Sequence, residues 1–557
     1  MTAFYEFSLL PFLALLSRFS RKAVAGLLVF LCVPFAHAQS ELQELQDLPP
    51  VISGGEYKAP VVDASSLPSV DETEYFNNEP AFEEYYESYE EQPAWEECPP
   101  QVGEEKPDKP KAEKKKDKPT CKKSHKTLFF ENDFSYLSNE DYDGCCLGDS
   151  LKQLPRNNCG CFGPCGCNAP KLDIGGQVRL RGHYERGMAQ EAGFSRFQQN
   201  ENEFLLLRTR LYGNLRLTDS FRMYAEGIFA DVTGADPAYI PRPIDRNRGD
   251  FLNLFADIKL FDSTTVRIGR QELLFSAQRL ISPLDWANTR RTFEGVRVLQ
   301  NFDKLKLDWF YTNFVPVQPD DLDEADYDLS FYGLYSSYKG KSDTFDLYYI
   351  GFDNQNPAAD FSLHTIGSRL TGGNDKWLYD VEGGVQFGRQ SGLGLNQEGS
   401  YATVGVGRKY PNQAWNPTLW VYYDYASGNN LGGDFNRFNQ LFPLAHKYLG
   451  FIDAVQRSNI ESPNVLLTGN PTKNLKLLVW YHHFMSNQDT DIVPAIGGTP
   501  AQSNGSKDFG DEIDLIATYT IGPRSNLLVG YSRFWRGNKI LTDTDADFAY
   551  VQWTLNF

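Results

Sequence analysis

The chain is 557 residues long, with a formal net charge of −19 and 14% aromatic residues. So acidic a balance excludes a general nucleic-acid binder, which needs a basic surface. Beyond the N-terminal segment every apolar run is broken by charge or Gly within a few positions, so no spanning helix is available and any route into a membrane must be as strands.

The chain opens with apolar residues, then Arg18, Arg21 and Lys22, then the run from Ala23 to Phe35, then Ala36-His37-Ala38 before Gln39. This order is that of a secretory signal over residues 1–38 with an A-x-A cleavage site. The apolar run is also shorter than the roughly twenty residues a spanning helix requires. Residues 39–127 lack periodicity, and an acidic block from Asp71 to Glu97 precedes a lysine block from Glu104 to Lys126. Such a segment cannot bury enough apolar surface to offset its ordering entropy and reads as a disordered tether. Tyr85, Tyr86 and Tyr89 are its candidate docking points.

Residues 128–171 are more aromatic and more patterned, and predict a small Cys-rich element before the main domain, a turn-rich plug or docking segment. Asp141, Asp143 and Asp149 lie close together there, but their spacing is not that of a twelve-residue calcium loop. Of nine cysteines, only Cys32 falls inside the signal. An even remainder in an exported chain reads as disulfides, with Cys145, Cys146, Cys159, Cys161, Cys165 and Cys167 as candidates. Metal binding is the rival for the C-x-C pairs, yet no His lies in the cluster, and no metal or other cofactor is expected.

From Leu172 onward the pattern has a period of two. Leu172, Ile174, Val178, Leu180 and Tyr184 alternate with Asp173, Gln177, Arg179, Arg181 and His183. Leu205, Leu207, Leu211, Leu215 and Leu217 face away from Arg208, Arg210, Asn214 and Arg216, and Phe221, Met223, Ala225 and Phe229 from Arg222, Tyr224 and Glu226. Segments of this kind recur through 251–260, 264–273, 293–301, 304–314, 329–339, 344–352, 362–370, 377–388, 400–408, 417–426, 463–469, 474–485, 510–521, 526–535 and 547–557. That makes about eighteen strands of about ten residues, an even number at membrane-spanning length. The last ends Val551, Trp553, Leu555, Phe557, an aromatic-terminated strand of the kind that barrel-assembly machinery reads. The predicted fold is therefore an all-β antiparallel transmembrane barrel over residues 172–557, embedded in outer-membrane lipid. Longer connections fall at 231–250, 316–328, 427–462 and 486–508. The 427–462 stretch, with Phe435, Phe438, Phe442, His446 and Tyr448, either folds inward as a constriction or packs on the rim.

One hairpin stands out. Between Val266 and Leu299 the sequence carries Arg267, Arg270, Arg279, Arg290, Arg291 and Arg297 around Trp286. Gly269-Arg270-Gln271-Glu272-Leu273, Arg279-Leu280, Trp286-Ala287-Asn288, Arg290 or Arg291, and Phe293-Glu294-Gly295-Val296-Arg297 resemble the signature of the alginate export family of outer-membrane β-barrels. That family more often has Asp at 294 and Gly at 276. The resemblance covers about residues 172–557 and implies an outer-membrane export channel for an anionic polysaccharide.

No nucleophile, base and orienter arrangement, no H-E-x-x-H and no phosphate loop can be read, so an enzyme is not expected. His482 and His483 are adjacent on a strand and point to opposite faces. Instead Arg179, Arg181, Arg208, Arg210, Arg216, Arg222, Arg267, Arg270 and Arg297 are read as an anion-attracting lumen wall. Arginine suits carboxylates because its fork binds them bidentately. The expected function is passage of an alginate-like polysaccharide or of small anionic solutes. A general or nutrient-specific diffusion porin is the alternative within the same class. A structural protein tethering envelope layers, through periplasmic or cell-wall contact of residues 39–171, is the alternative from another.

Overall fold

Every element of the long C-terminal part follows from the alternation of oily and polar residues, and the sheet closes on itself. The computed structural model describes residues 121–557, apart from 122–124, 140, 141, 143, 155–169, 189–195, 236–238, 358, 431, 497, 503 and 504. The expected signal, most of the tether, and Cys159, Cys161, Cys165 and Cys167 therefore lie outside the described residues.

Eighteen antiparallel strands run from β1 (Lys171–Arg186) to β18 (Ala546–Asn556), each bonded to its sequence neighbours. Closure comes from β1 pairing with β18 in a register that sets Leu180 opposite Trp553. No helix among the described residues is long and apolar enough to cross a membrane; the strands do so. They run longer than the sequence pattern predicts, up to 18 residues in β2 (Glu201–Thr218), because pairing continues past the oily band.

Inside and outside follow the predicted parity. Along β2, Phe204, Leu206, Arg208, Arg210 and Tyr212 are buried, while Leu211 between the last two is 56% exposed. Met223 and Phe229 on β3 (Phe221–Thr233), and Leu254 and Phe251 on β4 (Asn247–Phe261), continue the exposed apolar belt. A hydrocarbon solvent is the environment that such a belt requires. The short turns between β2 and β3 and between β4 and β5 (Thr264–Gln271), with the C-terminal residue Phe557, mark the periplasmic mouth by the usual barrel rule.

The lumen is filled from both ends. From the outer mouth the 272–291 connection between β5 and β6 (Thr292–Phe302) dives inward, and the 427–459 loop follows it. The two segments zip together: Ser282 N donates to Phe442 O at 2.8 Å, Phe442 N to Leu280 O at 2.9 Å and Leu444 N to Gln278 O at 2.7 Å. Phe442 then wedges among Phe293, Phe314, Phe331 and Phe352, with ring centroids 4.9–5.1 Å apart. Of the two fates open to the 427–462 stretch, the inward one is realised. Glycine permits the entry. Gly269 has φ +127°, and a methyl there would sit 2.3 Å from Leu254 O; one on its cross-strand partner Gly295 would sit 2.2 Å from Tyr311 O.

From the periplasmic mouth, residues 125–154 enter as a chain of 3₁₀ turns, Phe129–Glu131, Ser135–Ser138 and Asp149–Leu151. Cys146 is bonded to Cys121, with Cα atoms 6.5 Å apart. Cys146 is thus in a disulfide as expected, with Cys121 as its partner, whereas Cys145 is exposed and meets no cysteine among the described residues, because neighbouring side chains diverge and only one of them reaches Cys121. Peptide mapping without reductant is expected to recover a Cys121–Cys146 linkage. A different partner for Cys146 would refute it.

Candidate functional site: an arginine-clamped plug in the lumen

The inward parity of β1 and β2 delivers Arg179, Arg181, Arg208 and Arg210 to the lumen, as the sequence predicts, but not to an open aqueous wall. All four are buried, and three of them grip the backbone of the inserted connection. Arg179 donates to Asp285 O at 2.6 Å, Trp286 O at 3.1 Å and Ala287 O at 2.7 Å. Arg208 donates to Asp285 O and Ala287 O at 3.0 and 3.1 Å, and also binds the Asp285 carboxylate. Arg181 donates to Trp286 O at 2.9 Å and lies 3.6 Å above the Trp286 ring. A guanidinium in that position combines a carbonyl hydrogen bond with the attraction of the ring face. Trp286 in turn stacks on His446 of the second inserted loop at 4.4 Å and meets Tyr550 edge-on at 4.7 Å.

The remaining inward arginines are neutralised one by one. Arg210 pairs with Glu226 at 2.6 Å and lies 3.7 Å from Glu272. Arg290 pairs with both Glu272 and Asp285. Asn253 ties Glu226 and Glu272 together, donating at 3.0 and 2.9 Å. Burial pushes the Asp285 carboxyl up, but Arg208, Arg290, Arg179 and Arg210 outweigh it and hold the group well below the usual carboxylate range. Arg267 and Arg297 stand directly opposite each other, an arrangement that like charges disfavour. It is relieved because Arg267 donates to Asp257 at 2.7 and 3.1 Å and Arg297 pairs with Asp308. Near the periplasmic mouth Arg222 bonds Asp257 at 2.5 Å, and the half-exposed Arg216 sits 3.4 Å from Asp173.

Arg270 is corrected outright. It shares its register with Leu254 on the lipid-facing side, and its guanidinium caps the outer rim through Asp250 at 3.1 Å, Glu294 at 3.4 Å and Asp323 O at 2.7 Å. The rest of the signature lines the plug. Gln271 donates to Gly269 O at 3.1 Å, and Arg291 holds Ser282 O at 3.1 Å and Phe442 O.

A second clamp lies across the barrel, where the sequence reading placed no site. Arg279 from the inserted connection pairs with Asp380 at 2.6 Å and Glu382 at 2.8 Å on β11 (Trp377–Gln390), and Arg369 on β10 (Phe361–Gly373) shares Asp380 at 2.8 Å. Asp380 and Glu382 obey the same alternation that flagged the arginines, so a search of the later strands for inward acids would have found them. Their presence shows that the lumen is charge-matched in this state rather than uniformly cationic.

Residues 171–553 match the model of a family described as alginate export. The chain belongs to the alginate export family. It is an integral outer-membrane β-barrel of the channel type, and the signature hairpin of the alginate export resemblance is the segment that enters the lumen. No protein with a curated description matches the chain. Similar solved structures include Pseudomonas aeruginosa OccD3 (OpdP), at 13% identity over 69% of this chain and 91% of that one, TM-score 0.49. Pseudomonas aeruginosa OpdK with vanillate is 13% identical over 69% and 98%, TM-score 0.49. Acinetobacter baumannii OccAB3 is 16% identical over 69% and 100%, TM-score 0.48.

Proposed function

We propose that this alginate-export-family barrel passes a carboxylated, alginate-like polysaccharide, or smaller anionic solutes, along its inward arginines. The observation that carries the reading is the pairing itself. Arg208, Arg210, Arg279, Arg290 and Arg369 each hold an internal carboxylate. A uronate carboxylate offers the same fork-to-fork contact, so an arriving polyanion competes with Asp285, Glu272, Asp380 and Glu382 for guanidiniums already in place. Exchange of one carboxylate for another leaves no guanidinium unpaired. The last strand, ending at Phe557, is assigned to recognition by the barrel-assembly machinery, and the part of the 39–171 segment that precedes the inserted residues to contact with the periplasm or cell wall.

Single-channel recording on the full chain tests this. Under a salt gradient the openings are expected to give a reversal potential of anion preference, and mannuronate oligomers to reduce the current. A current with no ion preference and no response to uronates supports the general-porin reading, which the charge matching of the lumen favours. No current at any voltage, even with Arg179 and Arg208 replaced by Gln, supports a tether.

A further inference from the structure

The segment entering from the periplasmic mouth lies before the matched residues 171–553, so the family alone does not account for it. Its Phe129 ring lies beneath the Arg210 guanidinium at 3.9 Å and meets Tyr212 at 5.7 Å. Phe130 meets Phe255 edge-on at 5.2 Å and Tyr224 at 5.7 Å, under Arg267 at 4.4 Å. The surface so covered is a ladder of rings on three adjacent strands: Tyr212 stacks on Tyr224 at 5.8 Å, and Tyr224 on Phe255 at 5.2 Å, both pairs inclined by 21°. Arg222 donates to Phe130 O at 2.8 Å, and Arg290 of the outer plug to Thr127 O at 3.2 Å. Below the rings the segment is latched by Lys152, which donates to Ile174 O and to Phe557 O, and by Asp149, which accepts from Arg524 at 3.1 Å.

We propose that residues 125–154 are a displaceable cork, and that the Tyr212–Tyr224–Phe255 ladder beneath it is the first stacking subsite for sugar rings of the transported polymer. The inference rests on the polysaccharide reading given above. Phe129 and Phe130 meet these rings tilted and edge-on, a contact in which polarised C–H groups approach an electron-rich ring, and the C–H groups of a pyranose can take the same place. Their spacing is of the order of one sugar ring, and Arg222 and Arg267 stand beside them to meet a carboxylate. Phe129 and Phe130 occupy that surface as an internal stand-in, so cork and polymer exclude each other. The cork is held by the buried Leu128–Phe130, by side-chain latches and by one pair of backbone bonds between Leu154 and Leu172, whereas the barrel around it is closed by a continuous ladder; the cork can leave without unfolding the wall.

The test uses full-length protein in planar bilayers with potassium chloride. F129A/F130A, which empties the ladder, and K152M, which cuts the latch and removes the ammonium over Tyr212 and Phe134 but leaves every ring in place, are each expected to raise the mean current several-fold while the heat-modifiable barrel band persists. Mannuronate oligomers added on the cork side should block these uncorked channels more tightly than wild type. Adding Y224L/F255L to F129A/F130A should weaken that block about tenfold. Wild-type current in both uncorked variants overturns the cork, and block indifferent to Y224L/F255L overturns the subsite. If uronates block nothing while neutral oligosaccharides block in a ladder-dependent way, the subsite stands and the reading of an acidic polymer falls.

Discussion

Replacing Arg179 and Arg208 together by Gln is expected to release the inserted connection and to leave the periplasmic cork as the remaining obstruction. These two side chains supply five hydrogen bonds to the carbonyls of residues 285–287, and Arg208 also binds the Asp285 carboxylate. Gln is shorter and uncharged. It leaves carbonyl oxygens without donors and removes two of the guanidiniums that keep Asp285 ionised in a buried place. Removing one partner of a buried pair typically costs about 3–5 kcal/mol. Because the plug is a loop and the wall is a closed sheet, the loss should fall on the plug. Single-channel current should rise several-fold with heat-modifiability retained, and protease should gain access to residues 272–291. Unchanged current with an unstable barrel would mean that these arginines hold the wall together rather than the plug.

The second expectation concerns the outer face. Arg at both Leu205 and Leu207 is expected to abolish assembly, since each places a charge on the lipid side at a cost of about 2–4 kcal/mol near the midplane. Leu206, between them, is packed inside the lumen against Phe204 and Tyr239, so L206M, which alters the same strand on its inner side without adding a charge, serves as the control and should insert. The readout is the fraction of folded barrel recovered in outer membranes. Healthy assembly of the double variant would shift the register by one residue and invert every inside and outside assignment on β2.

Register, strand number and closure were legible because each is written locally. A Leu-Leu-Arg-Thr-Arg-Leu run such as 206–211 declares its two faces without reference to any other part of the chain. What occupies the lumen is not written locally. Arg208 meets Asp285 and Arg279 meets Asp380 across 77 and 101 positions of sequence, and nothing at either end names the other. The arginines were therefore found and their meaning misjudged, as a wetted wall in place of a set of clamps. Arg270 was misplaced for a different reason. The alternation from Arg267 runs on unbroken and puts residue 270 on the face of Ile268, so Arg270 belongs outside by parity, where it finds Asp250 and Glu294 at the outer ends of β4 and β6 and the Asp323 carbonyl. The Phe129–Phe130 pair was legible only as an aromatic cluster, because its recognition surface is assembled from three strands that follow it.

The latch at Lys152 also sets an order of events during biogenesis. Its two acceptors, the carbonyls of Ile174 and Phe557, belong to β1 and to the last residue of the chain, and they come side by side only when β1 pairs with β18. The cork precedes β1 in the chain and yet finds its seat last. A barrel still open at its seam has no place to hold the cork, so seating reports that the seam has closed.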